Sequence, residues 1–283
     1  VSELGPGVAV VTDSAGSLPD DETERDGVHV VPLRVSIDGH EYAETELSGD
    51  QLVSALRAGA TVSTSQPSPE AFAAAYRAAA AAGAAEIVSI HLSAALSGTC
   101  AAARIAAAGS VVPVTVVDSE CVGAGLGFAV RAASAAARTG ADGVGAVAAA
   151  EESLRSTEVF FYVDTLEYLR RGGRIGAAAS LLGSVLAIKP ILRLQEGQIV
   201  VAEKVRTAAR GLARLAELAV TCCAAGSAEL GVQHLGAADP ALDLVAVLRE
   251  RVPATPSVAL GEIGAAIGAH VGPGTVAVTV RRF

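Results

Sequence analysis

The chain has 283 residues, of which 51% are hydrophobic and 18% charged, and its formal net charge is -9. This excludes a disordered chain, which would be polar and highly charged, and the length leaves room for one large domain or two smaller ones around a buried core. The acidic balance, with no sustained basic run and only 3% aromatic residues, also argues against nucleic-acid binding, which needs a cationic face.

Val8 to Val11 reads as a short buried strand that ends in Thr12-Asp13-Ser14. Val28 to Ile37 and His40 to Ala43 flank Asp38-Gly39, a hairpin signal. A helix is expected from Ser48 or Gly49 to about Arg57. Ser68-Pro69-Glu70 opens the next one, with a capping hydroxyl, a proline suited to the first helical position and an acid that complements the dipole. That helix runs to about Ala82, followed by a strand from Glu86 to Leu92. Ser97-Gly98-Thr99 leads into another Ala-rich helix, then come a strand from Val111 to Val117, Asp118-Ser119 and a long helix from about Gly123 to Arg138. Strand, loop and helix in repetition predict a parallel sheet covered by helices, which binds ligands beyond the carboxyl ends of its strands. Thr12-Asp13-Ser14, the Ser93 to Thr99 loop and Asp118-Ser119 all fall at that edge.

The second half has a different pattern. A strand from Val159 to Val163 precedes the stretch Leu166 to Ile175, which holds Arg170, Arg171 and Arg174 with two glycines. Ile191 to Leu194 and Gln198 to Val205 form a hairpin about Glu196-Gly197, and a helix spans about Thr207 to Cys222. Glu229 to His234, Ser257 to Leu260 and Thr275 to Val280 are further strands, and Asp239-Pro240 starts a helix ending near Arg251. These elements predict a mixed or antiparallel sheet with helices on one face. The expected class is α/β with two domains. Residues 1–155 form an N-terminal parallel-sheet, Rossmann-like domain with a β-hairpin insertion near 28–43, and residues 156–283 form a C-terminal α+β domain with a mixed or antiparallel sheet.

No apolar stretch reaches the roughly 18 uninterrupted residues of a membrane span, and the first residues lack the charged and apolar regions of a secretion signal. A cytoplasmic location is expected. Cys100, Cys121, Cys222 and Cys223 form no C-x-x-C pair and read as buried small hydrophobes of a reducing compartment. His29, His40, His91 and His234 show no metal-ligand spacing. Neither a Walker A loop, a G-x-G-x-x-G fingerprint, a G-x-S-x-G elbow nor an H-E-x-x-H motif is present.

Two hydroxyl-rich segments, Thr64-Ser65-Gln66-Pro67-Ser68 and Leu96-Ser97-Gly98-Thr99, precede expected helix starts. Unpaired N–H groups and a partial positive charge draw anions there. Ordinary N-capping accounts for either segment alone; facing each other at the sheet edge, the two outline an oxyanion cradle. His270, in His270-Val271-Gly272-Pro273-Gly274-Thr275, is expected in a tight loop before the last strand, either structural or donating to an anion. The arginine cluster is either a solvated helix end or a docking surface.

In order, Val10-Val11-Thr12-Asp13-Ser14, Thr64 to Ser68, Leu96 to Thr99, Leu166 to Ile175, Ala187-Ile188-Lys189-Pro190-Ile191 and His270 to Gly274 resemble the DegV family. The resemblance spans nearly the whole chain and departs at Ser93-Ala94-Ala95 and at Cys100, where family members often carry a second serine or a glycine, and a tyrosine. It implies a two-domain lipid-binding protein similar to the fatty-acid-binding subunit of bacterial fatty acid kinase. Such a subunit has no catalytic centre, metal or cofactor of its own, and it presents a single long-chain fatty acid to an ATP-dependent kinase subunit that makes the acyl phosphate. Carried over by position, Thr64 and Ser97 bond the carboxylate, with Ser65, Gly98 and Thr99 beside them and His270 near the head group. Asp13, Ser14 and Ser93 stand behind them, and Arg170, Arg171, Arg174 and Arg206 resemble the face that meets the kinase. Two alternatives stand beside this reading: a serine hydrolase using Ser97 with His270, and a lipid sensor or store without a kinase partner.

Overall fold

The computed structural model describes residues 7–181, 189–224, 226–252 and 258–283. It begins with β1 (Val8–Asp13), α1 (Asp20–Asp26) and β2 (Val28–Val31), in which β1 and β2 pair in parallel. Pro32 ends the strand expected to continue through Ile37, because proline has no N–H for a ladder. The chain leaves the sheet and turns back on itself as β3 (Arg34–Ile37) and β4 (His40–Ala43). Asp38 and Gly39 between them both have positive φ, as a two-residue turn matched to strand twist requires.

α2 (Gly49–Arg57) starts at a capping box in which Ser48 and Gln51 satisfy each other's backbone N–H groups. β5 (Val62–Ser65) then pairs with β3, setting Thr64 opposite Val35. Thr64 and Ser65 therefore belong to a strand and not to a helix-start loop. Val62 and Thr64 are β-branched and favour extended backbone, and only Ser68 acts as the cap of α3 (Pro69–Ala81), accepting from the Ala71 N–H.

β6 (Glu86–His91), α4 (Thr99–Ala107) and β7 (Val114–Asp118) complete a four-stranded parallel sheet of order β2-β1-β6-β7. From β1 the chain winds outward to β2, and from β6 it winds the opposite way to β7. The switch point, where such sheets open a crevice, thus lies between the carboxyl ends of β1 and β6. α5 (Ala124–Arg138) and α6 (Gly143–Arg155) cover the sheet. The second of these was not anticipated, because its buried stripe is Gly143, Ala146, Ala150 and Ser153: helical spacing built from residues too small to register as an apolar face.

The remaining elements are β8 (Thr157–Tyr162), α7 (Glu167–Arg171), β9 (Lys189–Gln195), β10 (Gln198–Val205), α8 (Ala208–Cys223), β11 (Ala228–Leu235), α9 (Ala238–Arg251), β12 (Val258–Glu262), α10 (Ala265–Val271) and β13 (Thr275–Arg282). Of the motifs and strands read from the sequence, Ala187, Ile188 and Ser257 lie outside the described residues. The six strands run β10-β9-β8-β13-β11-β12, antiparallel except for β11 with β12. Alternation along them divides the sheet cleanly. Phe160, Tyr162, Ile191, Val232 and Val278 pack with Leu215 of α8 and Leu248 of α9. Phe161, Leu192 and Leu235 point the other way, into one core with Val10, Val88, Ile90 and Leu126 of the parallel-sheet half. The tight turn expected before the last strand is present at Gly272-Pro273-Gly274, both glycines with positive φ, but His270 itself lies in the last turn of α10. Ala265-Ala266-Ile267-Gly268-Ala269 is small enough to pack a short helix closely, with Leu52 and Leu235 against Gly268.

Leu215 is fully buried between α8 and the six-stranded sheet. Leu215→Ala is expected to lower unfolding stability by about 2–5 kcal/mol in denaturant titration; a loss below about 1 kcal/mol would contradict that packing.

Candidate functional site

A cavity of about 240 Å³ opens between the parallel sheet's carboxyl edge, β5, α10 and the inner face of the six-stranded sheet. Its walls are largely apolar: Leu33 and Leu92 from the first half, Val159, Phe161, Leu194 and Ile199 from the second. Its polar lining includes Thr64, Ser65, Gln66, Ser97, Arg174 and His270, with Gln233 and Thr275 from the six-stranded sheet.

Thr64 is delivered by strand β5 and His270 by the last turn of α10; Thr64 Oγ1 and His270 Nε2 lie 2.7 Å apart. Ser97 comes from the loop after β6. Its hydroxyl lies 2.9 Å from Thr99 Oγ1, and Gly98 forms the N-cap of α4 with no side-chain cap. Of the two expected helix starts, then, one is present at the site, and the other side of the cradle is a strand hydroxyl backed by an imidazole. Thr99 is fully buried and Ser65 exposed at the rim.

The candidate residues set behind these do separate work. Asp13 accepts from the N–H groups of Ala15 and Leu92, each at 3.0 Å. Ser14 donates to the buried Glu44 carboxyl and accepts from the Leu33 N–H. Ser93 donates to the Gly197 carbonyl at 2.7 Å, tying the loop after β6 to the β9–β10 turn.

The arginines divide. Arg170 and Arg171 are exposed and both pair with Glu167, an arrangement worth little in stability. Arg206 is exposed. Arg174 instead lines the cavity, donating from Nε to the Leu96 carbonyl at 3.0 Å and from Nη1 to the Gly172 carbonyl at 2.6 Å. Burial, assisted by the Arg174 charge, lowers the His270 pKa to about 4. His270 is therefore a neutral imidazole at physiological pH.

An Asp-His-Ser chain does occur, though not with Ser97. Asp13 Oδ2 lies 3.0 Å from His91 Nδ1, and His91 Nε2 lies 2.7 Å from Ser89 Oγ, which in turn meets the Tyr76 hydroxyl at 2.9 Å. All four side chains are at most 1% exposed, so no substrate reaches this serine. Among the described residues no group of His, Cys, Asp and Glu could hold a metal ion, and no helix is long and apolar enough to cross a membrane.

Sequence reasoning named Gln66 as part of the Thr64–Ser68 segment and missed Gly172, Gln233 and Glu44 as site residues. A Cβ on Gly98 would stand 2.4 Å from Gln66 Oε1, and one on Gly172 would stand 2.0 Å from His270 Nδ1. Gln233, from β11, accepts the Ala124 N–H at 2.8 Å and caps α5 from the other half of the chain. The paired glycines inside the arginine cluster were the one visible signal, since a backbone that must approach a ring closely needs glycine. Gln233 and Glu44 depend on contacts distant in sequence.

A family model described as an uncharacterised protein of the DegV family matches residues 7–282. A DegV domain-containing protein of Streptomyces coelicolor is 48% identical over 96% of this chain and 98% of its own. Among solved structures, a fatty-acid-binding DegV family protein of Thermus thermophilus superposes with a TM-score of 0.92 at 34% identity, over 98% of this chain and 100% of that one. DegV of Bacillus subtilis, described as a fatty acid binding protein, superposes with a TM-score of 0.91 at 28% identity, over 99% and 100%.

His270 is expected to stay neutral well below pH 6 and to titrate near 4, read from its imidazole NMR shifts. Arg174→Gln should raise that value only part of the way, because burial is the larger cause. An unfolded histidine takes its proton near 6.5, so between 6.5 and about 4 acid favours the unfolded chain, and the contribution present above that window is lost across it. Titration near 6.5 in the folded protein would contradict the burial described.

Proposed function

The chain belongs to the DegV family, and from that premise we propose that it binds a single long-chain fatty acid between two domains, residues 1–155 and 156–283, and presents the carboxylate to a separate kinase. The observation that carries this reading is the cavity itself, whose apolar walls lead to the hydrogen-bonded pair Thr64–His270 and to Ser97 at the start of α4. The fatty acids bound by the Thermus thermophilus and Bacillus subtilis relatives support the ligand class.

The chemistry follows from the donors. A neutral His270 with its proton on Nε2 donates to Thr64 Oγ1, which leaves the Thr64 hydroxyl proton free for a ligand carboxylate. Ser97 supplies a second hydroxyl, the N-terminus of α4 a partial positive charge, and Arg174 a full one at the cavity wall. Converging donors of this kind offset the cost of burying a carboxylate. Each methylene of the tail removed from water contributes about 0.8 kcal/mol, so the apolar walls provide most of the affinity and the head group fixes the orientation.

Ser97 is hydrogen-bonded to Thr99 and His270 to Thr64, so the pair does not form the serine–base contact of a hydrolase. A binding subunit without its own catalytic step fits these contacts better. Arg206, with the exposed Arg170 and Arg171, is proposed to face the kinase.

Thr64→Ala and Ser97→Ala are each expected to weaken fatty-acid binding about ten-fold or more while the fold survives, measured by calorimetry. Unchanged affinity in both variants would reject the head-group assignment. Arg206→Ala is expected to leave lipid affinity intact and to lower acyl-phosphate formation by an ATP-dependent fatty acid kinase; equal rates would remove Arg206 from the interface.

A further inference from the structure

The two sides of the proposed carboxylate site reach it by unrelated routes. Ser97 hangs from the end of β6, while His270 belongs to α10, which packs from the second half of the chain. Both are anchored on neighbouring residues at the end of β1.

Asp13 takes the first side. One carboxyl oxygen accepts from Ala15 N and the other from Leu92 N, while His91 Nδ1 fixes the carboxyl group from β6. From Leu92 the chain makes a closed turn, in which the Leu96 and Ser97 N–H groups return to the Ser93 carbonyl at 3.0 and 3.1 Å. Ser97 is therefore placed by a short, fully bonded path that starts on Asp13.

Ser14 takes the second side. Its hydroxyl donates to Glu44, and the other Glu44 oxygen accepts the Ala266 N–H at 2.7 Å in the first turn of α10. Glu44 is 5% exposed and lies against Gly264, where an added Cβ would meet its carboxyl at 2.5 Å. His270 is one turn beyond Ala266 on the same face of the helix. Glu44 thus bonds the first turn of the helix whose last turn carries the imidazole beside Thr64. The same Ser14 oxygen accepts from Leu33 N, and Leu33 is itself a wall of the cavity.

We propose that Asp13 and Ser14 are positioning residues that hold the two sides of the carboxylate site in register: Asp13 through the turn that carries Ser97, Ser14 through Glu44 and the helix that carries His270. β1 is paired on both sides within the parallel sheet, so it is the rigid member of the arrangement. This inference rests on the head-group reading given above and adds two residues that never touch the ligand.

The test is a set of double-mutant cycles on the full chain, read as affinity for a long-chain fatty acid and for the alcohol of equal length. Glu44→Gln should weaken the acid about ten-fold, leave the alcohol unchanged, and have no further effect in a His270→Ala background, while Ser14→Ala, which also frees the Leu33 N–H, should weaken the acid more than the alcohol and lose that difference in the same background. Asp13→Asn should behave likewise against Ser97→Ala, yet still add its loss to His270→Ala. Should Asp13→Asn not fold, the Ser14 and Glu44 cycles decide alone. Equal losses for acid and alcohol, or full additivity with His270→Ala, would overturn the proposal and leave the head-group reading standing. If His270→Ala, Ser97→Ala and Thr64→Ala all bind the acid as the parent does, both fall together.

Discussion

A carboxyl group buried away from water needs hydrogen-bond donors that converge on it, and without them it costs several kcal/mol. The end of β1 and the loop after β6 meet that constraint twice. The chain's own Asp13 is held by two backbone N–H groups and His91 at the switch point of the parallel sheet. The ligand's carboxylate, in the reading proposed, is held close by, by Thr64, Ser97 and the start of α4. In that reading the inner carboxyl orders the backbone that presents the outer site. The triad-like Asp13–His91–Ser89 chain is itself fully buried and ends on the Tyr76 hydroxyl.

The six-stranded sheet has the complementary task. Its alternation gives Phe160, Tyr162 and Val278 to α8 and α9, and it turns Phe161 and Ala277 toward the cavity. A cavity needs walls that do not collapse, and a sheet backed by two helices supplies them. Gln233 and Ser93 stitch this wall to the first half, one capping α5 and the other reaching the β9–β10 turn.

Much of this was legible in the sequence, for identifiable reasons. The parallel sheet, the hairpin about Asp38-Gly39 and the β9–β10 hairpin are announced by local turn and periodicity signals. The ordered DegV-like motifs located Thr64, Ser97 and His270, which the fold brings to one cavity. What local signals misread is equally specific. Thr64 and Ser65 carry hydroxyls that cap helices, yet they pair with β3. His270 stands just before glycines that announce a turn, yet it belongs to the last turn of α10 and only Gly272-Pro273-Gly274 turn. Arg174 stands two glycines from Arg171 but points into the cavity, while Arg170 and Arg171 remain outside. Glu44 had no signal, because its partners Ser14 and Ala266 are 30 and 222 residues away.

The central claim is that this cavity holds one fatty acid. Native mass spectrometry of the freshly purified protein, followed by lipid extraction, addresses it without any assumption about the partner. The account predicts one fatty acid per chain, or stoichiometric uptake when a stripped sample is offered one. A protein that carries no lipid and takes up none would contradict it.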